Sequence, residues 1–246
     1  MQASDIEKKL LPPGPDEAFD LHTTEESFFR VADLLTKYGD ICQIASPTRR
    51  SSSYLINHPD YVKHVLVKNN TNYTKGVGFE RVKLLLGNGI IVSDGPFWRR
   101  QRRMIQPAFN RQIIASLIDD MAQCNFKLRD EWREKARTGK IINITDTASE
   151  LALRIVLRSI FGDDLQRMEE DSGGNPFAIL TDDSARDMQL VLKYRGLRKL
   201  VQAVIERRRE AGIERNDFLS AFMLGRDKET GEAMTDRELI DEVMTL

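Results

Sequence analysis

The chain has 246 residues, 41% apolar and 30% charged, with 37 Lys and Arg balanced by 38 Asp and Glu. That length and composition allow a sizeable core and exclude an intrinsically disordered chain. A formal net charge of −1 excludes a global pull toward nucleic acid or an anionic membrane, so any charged partner must be recognised by a local patch. The first ten residues are polar and charged, without an apolar signal core, and nothing approaches the ~18–20 apolar residues of a membrane span. The expectation is a cytoplasmic protein. Cys42 and Cys124 lack CxxC spacing and form no zinc set with His22, His58 and His64, so both read as buried free thiols.

In chain order, Leu11-Pro12-Pro13-Gly14-Pro15 is a stiff, extended lead-in, because each proline lacks an amide donor and restricts the residue before it. A first helix is predicted from Glu25 to Tyr38, stopped by Gly39. Ile41 to Ala45 and Ser52 to Ile56 read as two short strands, and Pro59 opens a short helix to about Lys68. Residues 71–95 carry five glycines without a steady period and read as a long loop. Asp94 or Ser93 caps a helix that runs through Gln106, with Pro96 in its first turn. A long helix is predicted from about Arg111 to Arg137, then a short strand from Lys140 to Ile144. Ala148, Leu151, Ala152, Ile155, Val156, Ser159 and Ile160 next keep helical spacing over three turns. Ser172-Gly173-Gly174-Asn175-Pro176 breaks the chain, one or two helices cover Asp182 to Glu210, and another covers Asn216 to Leu224. Thr235-Asp236-Arg237-Glu238 is a capping box that starts a last helix. That helix meets no stop signal before Leu246, which suggests truncation. The fold class expected is mainly α with a small N-terminal β-sheet.

The most informative stretch runs from Gly89 to Phe109. On a helix Trp98 and Arg102 lie four apart and share a face, so an indole N–H and a guanidinium stand side by side as a receptor for a carboxylate. Taken alone, the same residues fit a solvated basic helix with a core tryptophan, and that plainer reading is the commoner one. A third possibility is nucleic-acid binding through Arg99, Arg100, Arg102, Arg103 and Arg111. The near-neutral charge and the lack of a second basic stripe speak against it.

The run from the glycine-rich loop through W-x-x-x-R to Pro107-Ala108-Phe109 resembles the helix C region of cytochromes P450. The Leu-Pro-Pro-Gly-Pro lead-in, Tyr38-Gly39-Asp40 before a strand pair, and Arg207-Arg208-Arg209 before Asn216-Asp217-Phe218-Leu219 match that family in the same order. The resemblance covers essentially the whole chain and implies a single, incomplete domain over residues 1–246, the N-terminal part of a predominantly helical α+β fold. It implies haem b as cofactor, with Trp98 and Arg102 hydrogen-bonding a propionate and Lys75 as a second propionate contact. It places residues 74–92 in the loop that roofs the substrate pocket, where Ile90, Ile91 and Val92 face haem or substrate or simply pack in the core. Residues 177–210 are short for the two helices that usually cover the pocket. The expected reaction is insertion of one oxygen atom from O2 into an apolar small molecule (a fatty acid, terpene or polyketide), with electrons from a redox partner. Neither Cys42 nor Cys124 has the F-x-x-G-x-R-x-C surroundings of the family's thiolate ligand, and the A-G-x-x-T and E-x-x-R motifs are missing too. Hence no catalytic or metal-binding residue is expected in this stretch, little activity from it alone, and an exposed apolar face where the remainder would pack. The alternative is a non-enzymatic helical interaction protein, or one half of a split protein.

Overall fold

The computed structural model describes residues 11–20, 25–48, 50–76, 78–181 and 188–246. They fall into two compact units, one up to Thr74 and one from Lys75 to Leu246.

The first unit is built on helix α1 (Glu25–Tyr38) and an antiparallel pair, β1 (Ile41–Ile44) and β2 (Ser53–Ile56), in which Ile41 faces Ile56 and Ile44 faces Ser53. Gly39 adopts φ +86°, a conformation a side chain would resist, and its N–H closes the helix on the Leu35 carbonyl at 2.9 Å. The prolines of the lead-in keep the chain extended, so the Pro13 carbonyl can accept from the Gln43 N–H at 2.9 Å. Leu34, Cys42 and Ile44 form the core of this unit, with Phe19, Tyr38 and Leu55 packed on it. Helix α2 (Pro59–Lys63) passes into a π-helical turn over His64–Lys68.

The second unit is helical. In order it holds α3 (Gly78–Leu86), α4 (Gly95–Ile105), α5 (Arg111–Ser116), α6 (Ile118–Arg137), α7 (Ile144–Phe161), α8 (Asp164–Ser172), α9 (Met188–Glu210), α10 (Phe218–Leu224) and α11 (Asp236–Thr245). Four sequence expectations need correction. The glycine-rich segment 71–95 contains α3, whose Leu85 and Leu86 are half-buried while Leu84 stays exposed. The helix expected from Arg111 to Arg137 is two, α5 and α6, broken at Leu117, which is 1% exposed and anchors the junction in the core. No strand forms over 140–144; Asn143 instead caps α7, accepting from the N–H groups of Thr145 and Asp146. Helix α8 was not anticipated, and its buried residues include Leu165 and Met168. The expected helical start at Asp182 lies outside the described residues.

The core of this unit gathers Met104 and Ile105 from α4, Ile160 and Phe161 from α7, Val201 and Ile205 from α9, Leu219 and Phe222 from α10, and Leu239 and Ile240 from α11. Helix α11 runs through its middle, buried at every residue from Leu239 to Thr245. It starts in the expected capping box: Thr235 Oγ1 accepts from the Glu238 N–H at 3.3 Å, and Glu238 Oε2 accepts from the Thr235 N–H at 2.8 Å. A fully buried ion-pair network also holds the unit. Arg208 donates to Asp164 (2.8 Å), Asp217 (2.7 and 2.8 Å), Ser220 Oγ (2.8 Å) and the Phe161 carbonyl (2.8 Å). A groove of about 380 Å³ with apolar walls, among them Val156, Leu157 and Val243, runs beside Leu246.

Both cysteines are buried free thiols, each pushed up in pKa by burial. Among the described residues no helix is long and apolar enough to cross a membrane, and no cluster of His, Cys, Asp and Glu could hold a metal ion.

Candidate active site

Helix α4 positions the candidate donors. Asp94 caps it, accepting from the Gly95 N–H at 3.0 Å and from the Lys75 N–H at 2.8 Å, and these bonds hold its carboxyl below the usual carboxylate range. Pro96 sits in the first turn, where its missing amide costs nothing. The helix buries Gln101, Met104 and Ile105, which leaves Trp98 partly buried and Arg102 exposed.

The arginines of α4 divide by partner. Arg100 donates to Glu238 at 2.6 Å and to the Ala233 carbonyl at 3.2 Å, and Arg103 reaches Asp227 at 3.1 Å and Glu229 at 2.8 Å. Both charges are thereby spent on tying α4 to the approach and start of α11. Arg102 has no carboxylate partner among the described residues; its guanidinium lies 5.3 Å from the centre of the Trp98 ring. The Trp98 indole N–H likewise has no protein acceptor among them. Arg102 also lines a cavity of about 260 Å³ whose other walls include Ile90, Ile105, Phe109 and Leu246. Two unspent donors, one of them on the wall of an apolar cavity, suit an apolar group that carries a carboxylate.

The loop before α4 forms one wall. Ile90 lines the cavity, Ile91 is half exposed, and Val92 is 5% exposed and packed within the protein. Lys75 Nζ donates to the carbonyls of Ile90 (3.2 Å), Ile91 (2.6 Å) and Ser93 (2.7 Å), so all three ammonium protons serve this loop. Burial lowers the Lys75 pKa, against the opposing pull of Asp94. The structure thus brings together Trp98, Arg102 and Ile90, puts Val92 into packing, and engages Lys75 with the backbone.

Sequence reasoning missed the residues that clamp the loop from α11. Asp241 accepts from the Asn88 N–H at 2.9 Å and pairs with Arg198 at 2.5 Å, while Glu242 accepts from the Ile90 N–H at 2.9 Å. Glu242 is 1% exposed, and its carboxyl is pushed up to about 7 by burial, aided by the nearby Asp241 and Glu238 and opposed by the Ile90 bond. The available signal was an Asp-Glu pair inside the apolar run of the last helix. Its partners lie some 150 residues upstream, which no local pattern reveals.

Comparison with protein-family models matches residues 17–188 to the family described as cytochrome P450. Cyclooctat-9-en-7-ol 5-monooxygenase of Streptomyces melanosporofaciens is 30% identical over 228 residues, covering 86% of this chain and 48% of that protein. Pentalenene oxygenase of Streptomyces avermitilis is 27% identical, covering 86% of this chain and 49% of its own length. The chain spans about half the length of these curated relatives. The crystal structure of the cytochrome P450DA heme domain superimposes with a TM-score of 0.72 at 20% identity, over 95% of this chain and 55% of that one, which shows a common fold. With the family model matched over most of its length and the expected fold in place, the chain belongs to the cytochrome P450 family.

Proposed function

We propose that this chain is the N-terminal part of a single-domain, cytoplasmic haem monooxygenase, and that its own task is to hold one edge of the haem and part of the substrate roof. The observation that carries this reading is the pair of unspent donors, Arg102 on the wall of the apolar cavity and Trp98 beside it, with the guanidinium 5.3 Å from the indole ring. Trp98 Nε1 and the Arg102 guanidinium donate to a propionate, one neutral bond beside one charge-assisted bond. Lys75 joins them as a second propionate contact by trading one of its three carbonyl bonds. Haem, when bound, supplies the O2 chemistry that inserts one oxygen atom into a substrate.

The chain's residues supply orientation and exclusion of water. Ile90, Ile105 and Phe109 offer apolar walls that favour a hydrophobic substrate and keep water from the cofactor face. Glu242 and Asp241 fix the loop that carries Ile90, so the wall is set by α11. The iron ligand belongs to the remaining half of a full-length family member, whose packing would complete the cavities that Leu246 lines, and a redox partner would supply electrons. Pairing of Arg100 and Arg103 with carboxylates removes two of the charges that a nucleic-acid reading needs.

Haem titration of the protein, followed by the Soret band, tests the reading. A charge-assisted hydrogen bond contributes roughly 1.5–3 kcal/mol, so Arg102→Ala is expected to weaken haem binding by about ten- to a hundredfold. Trp98→Phe, which keeps the ring and loses the N–H, should cost less than Arg102→Ala. Unchanged haem affinity in both variants would refute the assignment.

A further inference from the structure

We infer that the second unit carries a binding site for a small amphiphilic oxyanion, an apolar tail with a carboxylate or phosphate head, in the cavity between α3, α9 and α11. This cavity, of about 340 Å³, lies within the size range of small-molecule sites. It is lined by Lys83 from α3, Arg195 and Arg198 from α9, and Arg237 from α11. The one carboxylate in its wall among the described residues, Asp241, is already spent on Arg198 at 2.5 Å and on the Asn88 N–H at 2.9 Å. Lys83, Arg195 and Arg237 have no acidic partner among the described residues.

Elsewhere in the unit Arg100, Arg103, Arg158, Arg207, Arg208 and Arg215 pair with carboxylates, while Arg99, Arg111 and Arg167 stand without one among the described residues; what distinguishes Lys83, Arg195 and Arg237 is that they meet at one cavity. Three unpaired cations converging on one concavity focus a positive potential there, which favours an anion. A concave site of this size suits a single head group, with the guanidinium forks matching the oxygens of a carboxylate or phosphate. The remaining wall is apolar: Leu84 is 85% exposed, and Leu85 and the half-buried Tyr194 stand beside it. An exposed Leu84 beside cations that have no acidic partner among the described residues calls for a ligand with a tail as well as a charge.

The site is defined by protein side chains alone and stands whether or not the haem reading holds. Isothermal titration calorimetry of the purified protein at low salt, with dodecanoate, dodecyl phosphate, inorganic phosphate and 1-dodecanol as probes, tests it. Both amphiphilic anions should bind more tightly than inorganic phosphate, and the tighter of the two identifies the head group. Their affinity should fall as salt is raised, while that of 1-dodecanol should not. Arg195→Ala combined with Arg237→Ala should lower anion affinity at least about tenfold, the equivalent of about 1.4 kcal/mol, and leave 1-dodecanol unaffected. Lys83→Ala alone should give a smaller loss, and Arg111→Ala, at an exposed position on α5, should give none. Absence of heat with both amphiphilic anions would overturn the inference, as would undiminished affinity in a folded double variant.

Discussion

Replacing Glu242 by Gln tests whether α11 holds a buried acid against the loop. The amide keeps an oxygen to accept the Ile90 N–H but cannot ionise. In the folded protein the Glu242 carboxyl is pushed up to about 7, against about 4.5 ordinarily, with burial as the main cause. The unfolded chain therefore releases this proton near pH 4.5, while the folded chain holds it until about pH 7. Because the folded-state pKa is raised, the group's contribution to stability is full at low pH and is lost progressively between about pH 4.5 and 7. At about 1.4 kcal/mol per pH unit, the loss reaches about 3 kcal/mol by pH 8. The side chain is 1% exposed, so solvent screening does little to reduce that figure. Urea denaturation of the two proteins, followed by far-ultraviolet circular dichroism from pH 4.5 to 8.5, isolates the term, since the other titrating groups are common to both. Glu242→Gln should gain on the parent by about 3 kcal/mol across this range, nearly all of it below pH 7.5. Parallel pH profiles would refute the reasoning.

Arg208→Met removes the guanidinium that joins Asp164, Asp217, Ser220 and the Phe161 carbonyl, leaving buried carboxylates without their main counter-charge. The expected loss is about 3–5 kcal/mol at neutral pH, read by the same denaturation assay, and a loss under about 1 kcal/mol would contradict the network's role. At Gly89 an added Cβ would collide with Thr245 Oγ1 and the Asp241 carbonyl, so Gly89→Ala should destabilise by about 1–3 kcal/mol and speed amide exchange at Asn88 and Ile90. Gly76→Ala, where a Cβ meets nothing, should stay within about 0.5 kcal/mol of the parent.

Much of the fold is local and was legible. The helices Glu25–Tyr38 and Phe218–Leu224, the strand pair and the capping box at Thr235 follow from periodicity, glycine stops and cap residues, which act within a few positions of each other. The same holds for the shared face of Trp98 and Arg102, since four residues on a helix bring two side chains together whatever surrounds them. The errors fall where packing outranks local preference. Helix α3 forms in a glycine-rich segment, where Leu85 and Leu86 are half-buried, and the break between α5 and α6 falls at Leu117, whose side chain is 1% exposed in the core.

The sequence by itself determined the family, the helical class and the paired donors on α4. Only the tertiary structure decided that Lys75 spends its protons on the loop, that Asp241 and Glu242 clamp Asn88 and Ile90, and that cations from α3, α9 and α11 surround one cavity. The physical reason is separation along the chain. Helix and turn preferences are read over a few residues, whereas a carboxylate on α11 meets an amide some 150 residues earlier only after the core has closed around both.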